Sequence, residues 1–317
     1  MQTPISRREA LGKSGLLLAA GGSIALASSA GHAAEKPKNS PFRYCLNTGT
    51  IRGQKLGIVK EIEITAKAGY SGIEPWLGTI NAYVKGGGTL KDLRKRIDDA
   101  GITVESAIAF ANWIVDDDAK RAAGLEQAKK DMDVIRQLGG RRIAAPPAGA
   151  TNKAGLNLFK AAERYRALLE LGDKMEVVPQ VEVWGFSKNL SRLGEAVFVA
   201  VESGHKNACV LPDVYHIYKG GSDFAGLKLL SGSAVHVFHV NDYPADPPRE
   251  AISDADRVFP GDGIAPLKSI FGTLVKNGFR GALSLELFNR GYWKRDALEV
   301  AQTGLKKTQA AVQASLD

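Results

Sequence analysis

From residue 43 onward the chain alternates short apolar runs with longer stretches whose apolar positions recur at helical spacing. The short runs are "RYCLN" (43–47), "GIEPW" (72–76), "TVESAIA" (103–109) and "RRIAA" (141–145), then "QVEVW" (180–184), "ACVL" (208–211), "VHVFHV" (235–240) and "ALSLEL" (282–287). Each reads as a strand. Helical stretches are predicted at 56–68, 89–100, 117–138, 155–174, 189–203, 222–231, 265–277 and 294–314. The longest, 117–138, carries Leu125, Ala128, Met132, Ile135 and Leu138 on one face and stops at Gly139 and Gly140. Gly69, Gly101, Gly204 and Gly278 sit just past other helical stretches, where a left-handed residue ends a helix.

Eight strand–helix units predict an α/β fold, a single-domain (β/α)8 TIM barrel spanning 42–317. A doubly wound open sheet is the competing arrangement, but no GxGxxG follows the first strand. A barrel places its chemistry at the C-terminal ends of the strands. Strand side chains alternate between faces, so parity names the inward set. Val235, Val237 and His239 share one face, as do Ser284 and Glu286. Gln180, Glu182 and Trp184 share another, and Cys209, Leu211 and Asp213 a fourth. Strands five to eight therefore each offer one metal-capable group at the barrel mouth: Glu182, Asp213, His239 and Glu286. One imidazole with three carboxylates is a hard, oxygen-rich set. It suits one divalent ion, Mn²⁺ or Mg²⁺, and tolerates Co²⁺ or Zn²⁺. Trp76, Trp113, Trp184 and Tyr215 lie at or just past strand ends. They suit stacking on a sugar and capping of the barrel equally well.

Composition changes the picture little: 317 residues, 44% hydrophobic and 24% charged, are enough for one large core without staples. The formal charge of +8 is spread along the chain without blocks, so no nucleic-acid partner is inferred. Cys45 and Cys209 fall in the first and sixth runs, which are not neighbours, and read as reduced core thiols. The N-terminus stands apart. Arg7 and Arg8 precede the small, apolar stretch 16–30, and "GHAAE" offers a cleavage site near Ala33. The twin arginine in "SRREAL" resembles the Tat export signal, although Ala10 replaces its usual large apolar residue. The expected layout is a twin-arginine signal peptide at 1–33, a linker at 34–41 and the barrel, with export to the periplasm and no stable membrane insertion. A homo-oligomer is left open.

Taken in order, "VEVWG", "LPDVYH", "VFHVND", "DRVFPGDG" and "LSLELFN" resemble the xylose-isomerase-like barrel superfamily of sugar isomerases and epimerases, over about residues 42–313. "AGYSGIEPW" is similar to that family's second strand. The resemblance implies Glu182, Asp213, His239 and Glu286 as ligands of one divalent ion, Mn²⁺ foremost. It implies His216, beyond strand six in a loop, and Arg257 as binders of substrate oxygens. Asp242 would support the site, and Glu74 and Trp76 would line it. The activity implied is proton abstraction next to a carbonyl through a metal-stabilised enediolate, with Glu182 and Glu286 as acid and base. Epimerisation and aldose–ketose isomerisation are not separated. A lyase or dehydratase acting on keto-sugars, keto-glycosides or keto-inositols is the alternative. Abasic-site DNA cleavage is remote, because that chemistry needs more histidines than the three near the mouth, His216, His236 and His239.

Overall fold

The computed structural model describes residues 40–317. The expected export segment and most of the linker lie outside the described residues. Eight strands are present: β1 (Arg43–Asn47), β2 (Gly72–Glu74), β3 (Thr103–Val104), β4 (Arg142–Ala145), β5 (Val178–Glu182), β6 (Val210–Leu211), β7 (Val237–Val240) and β8 (Ala282–Leu285). Around them run α1 (Ile58–Ala68), α2 (Leu77–Lys85), α3 (Leu90–Asp99), α4 (Asp118–Gln137), α5 (Leu158–Met175), α6 (Leu193–Glu202), α7 (Val214–Lys219), α8 (Leu267–Lys276) and α9 (Ala297–Leu316). No helix among the described residues is long and apolar enough to cross a membrane.

All strand pairs are parallel, in two continuous arcs, β3-β2-β1-β8-β7 and β4-β5-β6. Single contacts close the ring. Ala144 N donates to Ala107 O at 2.8 Å, and bridges Val210↔Val235 and Asp213↔His239 join the sixth and seventh strands. The third run is strand for only two residues because Pro75 opposite it has no N–H to extend the ladder. Its remainder stays extended and bridges Trp76 through Ile108.

The barrel interior is layered. Cys45, Ile108, Ala144, Leu211, Val237 and Ala282 form a buried apolar layer. Two residues further along their strands, on the same face, come Asn47, Asp213, His239 and Ser284. Glu286 follows Ser284, and Glu182 follows Gln180, in the same way. Alternation thus carries the inward face from apolar filling to ionisable groups at the mouth. Cys45 and Cys209 are both buried and free.

Helices follow the expected order with three departures. The stretch 222–231 forms 3-10 turns, Phe224–Leu229 and Gly232–Ala234, instead of an α-helix. Only Leu227 of these is buried, too little to hold a helix face against the barrel. The helix after β6 is α7, whose VYHIYK is β-branched and aromatic and so lacks a helical composition. Asp213 starts it as N-cap, accepting from His216 N at 2.7 Å. His216 therefore lies in the first turns of a helix, not in a loop. α2 was not expected either, since it begins at Trp76 without a side-chain cap.

Near the start of α1, Glu61 is 3% exposed with Oε2 unpartnered. Burial pushes its pKa up to about 7 against a bond from Thr48. The folded protein therefore holds this proton more tightly than the unfolded chain. The resulting stability is complete below about pH 4.5 and is lost as pH rises through about 7. Glu61→Gln is expected to flatten that decline and to stabilise the protein at pH 8 by up to about 3 kcal/mol. Urea midpoints at pH 5, 6.5 and 8 check this, and a variant no more stable than wild type at pH 8 refutes it.

Candidate metal centre and active site

The deepest polar contact at the mouth joins β7 to β2. His239, with no exposed surface, has its Nε2 2.9 Å from Glu74 Oε2. The same carboxylate oxygen accepts from Asn47 Nδ2 at 2.9 Å and from Ser284 Oγ at 2.7 Å. Burial raises the Glu74 pKa, but the His239 charge and these hydrogen bonds outweigh it and hold the carboxyl below its usual range. With Nε2 so occupied, Nδ1 is the nitrogen that faces the mouth. It lies 3.4 Å from Glu286 Oε2, 3.8 Å from Asp213 Oδ2 and 3.9 Å from Glu182 Oε1. Nδ1 has no hydrogen-bond partner, and neither does Glu182 Oε2.

This arrangement fits a bound cation. Donors sharing one ion stand about 3–3.5 Å apart when each bond is about 2.1 Å. One donor atom each from Asp213, His239 and Glu286 falls within 4.8 Å of the others, and all three residues are buried. Burial lowers the pKa of His239, yet the charges of Glu74, Glu286 and Glu182 raise it well above the usual imidazole value. Burial pushes Glu182 up to about 8, and it raises Glu286 as well. Buried carboxylates that favour protons on themselves and on their imidazole are short of positive charge. A carboxylate–imidazole pair behind the free nitrogen is also the usual support of a metal-bound histidine.

Arg257 supplies part of that charge. It is fully buried, with Nη1 donating to Asp213 Oδ2 at 3.1 Å and Glu286 Oε2 at 2.9 Å. Its Nη2 donates to Asp254 and lies 3.0 Å from His216 Nε2. The guanidinium is sandwiched between Tyr215 at 4.5 Å and Phe288 at 5.0 Å. Burial drops the His216 pKa to about 3, so the ring is neutral. Its Nδ1 accepts from Gly185 N at 3.2 Å. A neutral ring accepts at one nitrogen only, so Gly185 N–H at 3.2 Å and Arg257 Nη2–H at 3.0 Å compete for that role, and the other nitrogen carries an N–H that a ligand oxygen would satisfy.

Asp242 acts one step removed. Its carboxylate accepts from the backbone N–H groups of Tyr243, Gly261, Gly263 and Ala265 at 2.8–3.1 Å. Its backbone pairs with Val258, next to Arg257. A side chain at Gly263 would collide with Tyr243 O and the Asp242 carboxylate, so "FPGDG" wraps tightly around this acid.

Above these groups opens a cavity of about 540 Å³. Glu182, Glu286, His216, Arg257, Trp76 and Trp184 line it together. Two expected substrate contacts are corrected. Glu74 has no exposed surface and bonds the far side of His239, so it supports a candidate ligand and does not line the cavity. Trp113 is 1% exposed, donates to Pro146 O and packs on Tyr165 of α5, outside the cavity. Tyr215 is likewise buried, under Arg257. Two asparagines that the sequence pattern does not mark complete the cluster. Asn47 Nδ2 donates to both Glu74 and Glu286, and Asn241 Nδ2 donates to Asp213 Oδ2 at 3.0 Å. Strand-end asparagines in "RYCLN" and "HVND" were the available signal, and a weak one.

Comparison with known proteins bears on the fold and the family. Residues 62–311 match the family described as xylose isomerase-like TIM barrel. The chain is 26% identical to an inosose isomerase of Bacillus velezensis over 275 residues, 86% of this chain and 97% of the relative. It is 25% identical over 260 residues to a 3-dehydroshikimate dehydratase of Pseudomonas aeruginosa, 78% of this chain and 38% of the relative. A crystal structure of the IOLI protein with a zinc atom superposes with a TM-score of 0.79 at 23% identity, covering 86% of this chain and 98% of that one.

Proposed function

Since the chain belongs to the xylose isomerase-like TIM barrel family, we propose that it is a divalent-metal-dependent sugar isomerase or epimerase that moves a proton on carbon next to a carbonyl. The observation that carries this reading is the pair Glu182 and Glu286, two cavity-lining carboxylates that both lie within 3.9 Å of the partnerless His239 Nδ1. Glu182, Asp213, His239 and Glu286 would hold the ion, which supplies Lewis-acid polarisation of the substrate carbonyl. The oxygen-rich donor set favours Mn²⁺, with Mg²⁺, Co²⁺ and Zn²⁺ as substitutes. The zinc atom in the IOLI protein supports a divalent ion in this fold.

The chain's own groups do the proton work. Glu182 lines the cavity and its Oε2 has no partner, so that oxygen is free to take a proton from carbon. Glu286 is fixed by Asn47 on one oxygen and by Arg257 on the other, which holds its carboxyl at the cavity floor as the second acid–base group. Arg257 and His216 present N–H groups to substrate oxygens, and Trp76 and Trp184 offer ring faces to the carbon skeleton. Arg257 next to the carboxylates also disperses negative charge as it develops.

A second reading, a dehydratase, is supported by the 3-dehydroshikimate dehydratase relative. It begins with the same proton removal and ends with β-elimination. One experiment tests both. Protein stripped with a chelator and then reloaded is incubated in D₂O with a panel of ketoses, inososes and 3-keto-glycosides, followed by NMR. Exchange into the α-carbon is expected only after reloading, with an isomer as product. Unsaturated product points to the dehydratase. No exchange with any member of the panel overturns the carbon-acid reading.

A further inference from the structure

Beyond the carboxylate floor the cavity has an outer tier that the proton chemistry does not use. Five rings touch in sequence from Phe186 to Trp184 (5.1 Å), Phe110 (6.0 Å), Trp76 (5.3 Å) and Phe288 (5.9 Å). They come from the loops after the second, third, fifth and eighth strands, so the arc wraps most of the mouth. Arg52 braces it, its guanidinium 4.5 Å over Trp76 and within 5.8 Å of Phe288. The arc is built, yet it is open to water: Phe110 is 45% exposed and Phe186 is 46% exposed. A contiguous apolar patch beside convergent polar groups marks a ligand surface.

The arc lies further out than the floor. Trp184 and Phe288 each stand two residues beyond a floor carboxylate, at most about 7 Å of extended chain. Phe186 is two residues further, and Phe110 bridges to Trp184 from the other side. Phe110 and Phe186 are the two most exposed rings of the arc, and Phe186 also packs on His216 at 5.7 Å, so a ring that reaches it stays in register with the floor. A compound with a second ring would reach them without leaving the floor, within the same cavity of about 540 Å³.

We propose that this tier is an outer subsite for a second ring, so that the substrate is a glycoside-like two-ring compound and not a free monosaccharide or inositol. The proposal rests on the sugar-binding reading of the floor. The chemistry it needs is a flat ring with an apolar face, which an aryl group or a second pyranose both supply. Arg52 and Arg290 at the rim add donors for that ring's oxygens.

Binding of unreactive probes keeps this separate from catalysis. Metal-loaded protein is titrated calorimetrically with methyl β-D-glucoside, phenyl β-D-glucoside and cellobiose. At least one two-ring probe is expected to bind ten-fold or more tighter than the methyl glucoside, and which one identifies the second ring. Phe110→Ala with Phe186→Ala should erase that gain, since both side chains are half exposed and their loss leaves the core intact. Two-ring probes that bind no tighter than methyl β-D-glucoside, or not at all, overturn the subsite. So does a gain that survives in the double variant. Absence of deuterium exchange alongside a ten-fold gain would sink the isomerase reading and leave the subsite standing.

Discussion

Glu182→Gln is expected to slow proton exchange at the substrate α-carbon by about 10²–10⁴-fold at saturating metal. Glutamine fills the same space and keeps a carbonyl oxygen toward the ion, but it cannot accept a proton from carbon. Glu182 Oε2 is buried without a partner, and a glutamine carbonyl can still accept from Trp184, so the fold should be unaffected. The rate is read by deuterium wash-in under NMR, with metal content measured on the same sample. A variant that keeps its metal and loses the rate assigns Glu182 to proton transfer. A rate within three-fold of wild type removes it from that role. Glu286→Gln should lose a comparable factor, but with a different signature. Its Oε2 accepts from Arg257 Nη1 at 2.9 Å, and an amide nitrogen there would face a donor. Substrate affinity should fall along with the rate, and the two substitutions together should cost less than the product of their separate effects.

The inward positions of these residues could be read from the sequence because strand parity is rigid. Leu211 and Asp213, or Val237 and His239, must share a face whatever the exact strand ends, and both pairs do. Depth is another matter. Glu74 has the parity of a mouth residue, but β2 is only three residues long and its last position lies behind His239, not above it. Nothing in "GIEPW" distinguishes a carboxylate that meets substrate from one that meets an imidazole. Arg257 was named only by resemblance. Its position depends on a loop folded around Asp242, a set of backbone contacts that no side-chain pattern announces. The two helices that the apolar spacing does not predict differ for a related reason. α7 has strand-like composition and is held by the Asp213 cap, while α2 starts at a tryptophan turned toward the cavity. Both lie next to the site, where local preference gives way to placement of functional groups.

Glu74→Gln is the substitution that separates support from direct participation. Glu74 Oε2 gathers the bonds from His239, Asn47 and Ser284, and its Oε1 has no partner. A glutamine carbonyl can take over those three bonds, so the variant should fold. What it removes is the negative charge behind the imidazole, which holds the proton on Nε2 and makes Nδ1 the better donor. Metal affinity is expected to fall by about 10–100-fold. That corresponds to about 1.4–2.7 kcal/mol. Competition with a chelator of known affinity measures it directly, without any assay of turnover. At saturating metal the exchange rate should recover to near the wild-type value, because Glu74 does not reach the cavity. Glu182→Gln, in contrast, should stay slow at any metal concentration. If Glu74→Gln binds metal as tightly as wild type, the pair with His239 is packing alone. If it stays slow when fully loaded, Glu74 takes part in the chemistry after all, and its place behind His239 is not the one it occupies during the reaction.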